Sequence, residues 1–254
     1  MTLSSELSGK GPAGSAIAGI FGGFLGIAAA LAIALLIFPS KQYVAISNYL
    51  QILVTLAGAV VFCYYYLRHE GGTGFAWAAA GFALWGIANI AWYSAVFFGA
   101  GTFSFPGPLD LAFVIALLIL ASAYKRIYPR KQAKGPVLLG LLALVLIVPL
   151  AILVTAGVTD QTLMILLYFF SGGLILITAL NYSFAEHPAA LAGTIILVLA
   201  YLAYPIRETY FATSAAFAVV GPLAAAGFSL VVLGLVPSGS GTQGAPAEPT
   251  DTPE

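Results

Sequence analysis

The chain has 254 residues, of which 61% are hydrophobic and only 7% charged. A water-soluble domain carries about 25% charged residues to keep its surface hydrated, and nine basic with nine acidic side chains cannot wet a globule of this size. With zero net charge and a mean hydropathy of +1.03, a soluble enzyme, a basic nucleic-acid binder and a disordered regulator are all excluded.

What remains is an all-α polytopic integral membrane protein whose first partner is the lipid bilayer. Residues 1–14 form a polar N-terminal segment rich in Gly and Ser. A helix needs about 20 mostly apolar residues to cross the hydrocarbon. Eight stretches qualify as transmembrane helices: Ser15–Phe38, Val44–Leu67, Phe75–Phe98, Leu109–Tyr128, Pro136–Ala156, Gln161–Phe184, Pro188–Phe211 and Ala215–Val236. The first is too long for a signal-peptide core. Breakers separate them, as at Pro39-Ser40, Gly71-Gly72 and Gly135-Pro136, and Gly221-Pro222 interrupts the eighth. The transmembrane domain is thus 15–236, followed by a tail, 237–254, whose Pro/Gly/Ser/Thr composition predicts disorder.

Lys125, Arg126, Arg130, Lys131 and Lys134 crowd the linker after the fourth span. Basic residues mark the cytoplasmic side, so eight spans place both termini in the cytoplasm, with Lys10 and Arg68. Only Lys41 lies in an outer loop, with Arg207 near the outer end of the seventh span. The 125–134 cluster reads as a topology signal with attraction for anionic lipid, or as a docking point for a separate signalling protein. A faint duplication also runs through the chain. Tyr49–Val54 resembles Thr162–Leu167, and Gly107-Pro108-Leu109 recurs as Gly221-Pro222-Leu223, at offsets of 113 and 114 residues. A four-plus-four parallel repeat follows, 15–128 against 136–236, with its axis along the membrane normal.

Polar groups inside a bilayer are expensive and point to function. Trp85, Asn89 and Trp92 share one face of the third span, with Tyr93 beside them, and Asp110 opens the fourth. The seventh span carries Tyr201, Tyr204 and Glu208 on one face, Arg207 beside them, and a helix-kinking Pro205. All lie toward the outer face. One reading is an outward-facing pocket lined by Trp85, Asn89, Trp92, Tyr93, Asp110, Tyr204, Arg207 and Glu208, in which Arg207 pairs with Asp110 or Glu208. The others are a structural polar cluster, and an interfacial aromatic belt with a snorkelling arginine. The single cysteine, Cys63, and two histidines, His69 and His187, exclude a disulfide and multi-cysteine or three-histidine metal centres. Each histidine adjoins a glutamate, Glu70 and Glu186; these read as solvated loop charges, or, if the two inner loops meet, as two His and two Glu able to hold a divalent ion. No lysine stands in the last two spans to hold retinal, Asp110 has no second intramembrane aspartate to face it, and HExxH, GxSG and Walker motifs are missing. Catalysis and a cofactor are therefore not expected.

Trp85-Gly-Ile-Ala-Asn89, followed by Phe105-Pro106-Gly-Pro108-Leu-Asp110-Leu-Ala-Phe113, resembles the multi-pass sensor region of membrane-bound diguanylate cyclases and histidine kinases. In that region a Trp/Gly helix leads to a Pro-x-x-x-Asp-x-x-Phe start of the next. The match covers about thirty residues. Asn89 stands where that family often has aspartate, and no GGDEF, PAS or kinase domain follows. The resemblance implies a stand-alone sensor module that reports through a separate partner. The expectation is a non-catalytic membrane module that senses a small-molecule or lipid ligand or binds a membrane partner. The alternatives are a small-solute or lipid transporter, and a structural subunit of a larger membrane complex.

Overall fold

A computed structural model describes residues 12–68, 72–97, 105–127, 147–148, 150–151, 153–155, 157–181, 187–210 and 218–236, with side chains for all but 12–13, 95–97 and 207–210. Seven helices are complete: α1 (Pro12–Ile37), α2 (Lys41–Leu67), α3 (Gly72–Phe97), α4 (Pro108–Ile127), α5 (Asp160–Asn181), α6 (Pro188–Tyr210) and α7 (Val220–Leu235). No strand occurs among the described residues. The helices α1 to α6 each contain a stretch long and apolar enough to cross a membrane, the make-up of a polytopic membrane protein.

Several predicted edges move. The helix α1 reaches back to Pro12, so residues 12–14 of the expected polar segment are helical. Ser40 starts α2 at Lys41 rather than Val44, because its Oγ accepts the Tyr43 N–H at 3.2 Å. The largest change is at the eighth span. Its helix begins at Val220, not Ala215, and Gly221-Pro222 fall in the first turn. Proline is tolerated there because the first N–H groups have no helical acceptor, so the pair opens the helix instead of breaking it. With 16 residues, α7 spans about 24 Å, less than the roughly 30 Å of hydrocarbon. Of the fifth span, Pro136–Ala156, only helical residues between 147 and 155 are described. Residues 1–11, the tail 237–254, and Arg130, Lys131 and Lys134 of the basic linker lie outside the described residues.

The short α7 is the central helix. Eleven of its sixteen residues are buried, as befits a helix that is apolar on every side, and it packs on α6, α1 and α2. Small residues allow this approach. A Cβ at Gly193 of α6 would stand 2.7 Å from the Gly227 carbonyl oxygen, one at Gly227 would stand 2.8 Å from the Leu197 nitrogen, and one at Gly234 would meet the Ala190 backbone. By contrast, α1 buries only the stripe Phe21, Ala28, Leu31 and Leu35 and turns Ile20, Ile27, Ile33 and Leu36 outward, the pattern of a peripheral helix facing lipid.

Aromatic rings tie the bundle together. Phe62 of α2 meets Phe82 of α3 at 5.0 Å between centroids, Phe82 meets Phe228 of α7 at 4.9 Å, and Trp85 meets Phe228 at 5.0 Å and Phe113 of α4 at 4.9 Å. Each such pair contributes about 0.5–1.5 kcal/mol beyond burial. Adding one methyl at the α6–α7 contact, Gly193→Ala, should destabilise the protein by about 1–3 kcal/mol, read as a lowered melting temperature in detergent. Gly22→Ala, on α1 with open space around it, should leave stability unchanged or slightly raised.

Candidate functional site

Six helices meet around a cavity of about 90 Å³ at the end where α2, α4, α5 and α7 begin and α3 and α6 finish. It is smaller than the roughly 300–1,000 Å³ of drug-sized ligand pockets. Three amides enter it, Asn48 and Gln51 from one face of α2 and Asn89 from α3. Trp85 and Trp92 of α3, Phe113 of α4, Tyr168 of α5, and Tyr201 and Tyr204 of α6 supply rings. The first turn of α7 closes the remaining side with Val220, Gly221 and Ala224. Gly221 is required by space: a Cβ there would stand 2.6 Å from Ser47 Oγ and 3.0 Å from Asn48 Oδ1.

The wall has polar groups with nothing to bond. Trp85 is 5% exposed, and its indole N–H is buried without an acceptor. Gln51 is 7% exposed, and no hydrogen bond to its side-chain amide occurs among the described residues. Asn89 donates from Nδ2 to the Trp85 carbonyl at 3.2 Å, which leaves its amide oxygen unused. An unpaired buried polar group costs about 1–3 kcal/mol, and the Trp85 indole N–H is the one such side-chain group among the described residues.

Behind the wall stands Asp110, 5% exposed. It occupies the third position of α4, and its Oδ2 accepts the Gly107 N–H at 2.7 Å, as in a helix capping box. Tyr168 donates its hydroxyl to Oδ1 at 2.9 Å, and Tyr204 adds a further side-chain hydrogen bond. The start of a helix is itself favourable for negative charge. The three donors come from the loop before α4, from α5 and from α6, so one carboxylate fixes three elements. Tyr168 also stacks on Tyr201 at 4.3 Å between centroids, and the Tyr201 hydroxyl lies 3.0 Å from Ser171 Oγ.

Of the residues expected at a shared pocket, Trp85, Asn89, Trp92 and Tyr204 line the cavity, and Asp110 reaches it through Tyr168. Tyr93 stands behind the wall: it shares a hydrogen bond with the lining residue Asn48, its hydroxyl donates to the Ala45 carbonyl at 3.4 Å, and its ring lies against Tyr49. The backbones of Arg207 and Glu208 lie in α6, but their side chains are outside the described residues. Sequence reasoning passed over Asn48, Gln51 and Tyr168. The first two left a signal, a polar stripe of Ser47, Asn48, Gln51 and Thr55 in an apolar helix, whereas Tyr168 left none.

The arrangement can hold a small molecule by hydrogen bonds and ring contacts. No group of three or more His, Cys, Asp or Glu side chains suited to a metal ion occurs among the described residues. Compared with known proteins, the chain matches no family model, no curated protein and no solved structure. Tyr168→Phe keeps the ring but removes a donor from a buried carboxylate, and should lower stability by about 1–3 kcal/mol. Thermal unfolding in detergent measures this, with Tyr66→Phe, at an exposed site in the opposite end of α2, as the neutral control.

Proposed function

We propose that this chain is a non-catalytic membrane module that binds a small ligand in the cavity between α2, α3 and α6, and reports occupancy across the bilayer. The observations that carry the reading are polar groups on the cavity wall: the buried Trp85 indole N–H, which has no acceptor among the described residues, and the Gln51 and Asn89 amides that open onto the same space. A structural cluster would have satisfied them internally. The distribution of basic residues supports an outward-facing cavity in a cell membrane, with both termini cytoplasmic: Arg68, Lys125 and Arg126 stand at the opposite ends of α2 and α4 from the cavity. The segments resembling membrane sensor regions also border it, since Trp85, Asn89 and Phe113 are in its wall and Asp110 lies behind.

Transmission would run along α4. Its first turn carries Asp110, and its last turn carries Lys125 and Arg126 at the start of the basic 125–134 linker, the surface offered to a signalling partner. A ligand that changes the Tyr168–Asp110 contact biases this rod between two packings. Eight spans in two four-helix repeats remain our reading of the whole chain. Its support is in the neighbours: α3 lies along α4 as α6 lies along α7, α2 is beside α3 as α5 is beside α6, and α2 meets α7 as α5 meets α4.

A substitution separates a binding pocket from a structural cluster. Gln51→Leu has similar volume and replaces an amide that bonds no described residue, so it should leave the stability of the empty protein unchanged or raised. A loss of about 1–2 kcal/mol would make Gln51 part of an internal network and sink the binding reading. Proteoliposome uptake of radiolabelled amines, sugars or amino acids, abolished by Gln51→Leu, would replace the sensor with a transporter.

A further inference from the structure

The described walls of the cavity carry no positive charge: none of the residues around it is Lys, Arg or His, so they offer an anion no counter-charge, and burying one against them costs several kcal/mol. A cation meets the reverse situation. Asp110 stands one hydrogen bond behind Tyr168, and its described partners are the Gly107 N–H and the hydroxyls of Tyr168 and Tyr204. It is the acidic group nearest the described wall, at a helix start that favours negative charge, and it meets no Lys or Arg side chain among the described residues. Aromatic rings make up much of the remaining wall, and ring faces attract ammonium groups, most strongly when desolvated.

The indole N–H of Trp85 sets a second requirement. It is a donor without an acceptor, so a ligand that satisfies it must bring an oxygen. Trp85 and Tyr168 both contact the Tyr201 ring, at centroid distances of 5.7 and 4.3 Å, so the two demands fall on neighbouring parts of one wall.

Building on the ligand-binding reading above, we propose that the cavity takes a small organic cation that also carries an oxygen acceptor. This is the chemistry of an amino alcohol such as choline or ethanolamine, free in solution or as a lipid headgroup. The ammonium lies toward Tyr168 and Asp110, and the oxygen toward Trp85 and Gln51.

The test uses the full chain in phosphatidylglycerol nanodiscs, with choline and ethanolamine as cationic probes, glycerol as the neutral probe and acetate as the anionic one. Binding is read as thermal stabilisation and as a change in Trp emission, since two of the three tryptophans, Trp85 and Trp92, line the cavity. The amines should bind at least tenfold more tightly than glycerol, and acetate should give no response. Asp110→Asn should weaken choline about tenfold relative to glycerol measured in the same variant, and Gln51→Leu should abolish both. A lipid source predicts that phosphatidylcholine discs already stabilise the protein and that free choline adds nothing; a soluble source predicts that the choline shift persists in them. Should glycerol bind and the amines not, with Gln51→Leu removing the response, the cation assignment falls and the cavity still binds. Failure of every probe, or responses that Gln51→Leu leaves intact, overturns the cation assignment, and in the latter case the cavity reading with it.

Discussion

Hydrocarbon offers no water to a polar group, and this one constraint shapes the chain at every scale. The backbone answers it with helices, which satisfy their own N–H and C=O groups. Side chains answer it by turning inward, where the Asp110 carboxylate collects donors from Gly107, Tyr168 and Tyr204. That convergence draws α5 and α6 onto the start of α4, so the anchoring of three elements and the outline of the cavity have the same cause. Ser171 with Tyr201, and Tyr124 with Thr194 toward the other end, extend the same solution between neighbouring helices.

The second determinant is how closely backbones approach. Between α6 and α7 the glycines at 193, 227 and 234 remove the side chains that would hold the helices apart, and dispersion contacts replace a hydrophobic driving force that lipid does not supply. This lets the shortest of the described helices, α7, sit at the centre. Its first turn then becomes a wall of the cavity, and Gly221 lets the amides of α2 come close. Helix packing and the cavity wall are thus built from the same small residues.

Much of this was legible in the residues themselves. The apolar runs and the breakers between them marked most helices to within a few positions, because span length is fixed by bilayer thickness. The face of Trp85, Asn89 and Trp92 was readable from helical spacing alone. The start of α7 was not, because Gly221-Pro222 looks like an interruption unless the first turn is known to lie there. Tyr168 was equally hidden: a tyrosine in an apolar run gains meaning only when its hydroxyl is found 2.9 Å from a carboxylate 58 residues earlier. Tyr93, one position past Trp92 and so about 100° further round α3, lies against Tyr49 and meets the wall through Asn48, a link that spacing along one helix does not show.

The amino-acid sequence by itself determined the solvent, the helical class and the approximate lengths, since these follow from local composition and the geometry of a single helix. Which helix occupies the centre, which polar groups find partners and which stay unpaired was decided only in the tertiary structure. Those outcomes depend on distances between residues far apart along the chain, and hydropathy, which scores each residue alone, contains no such distances.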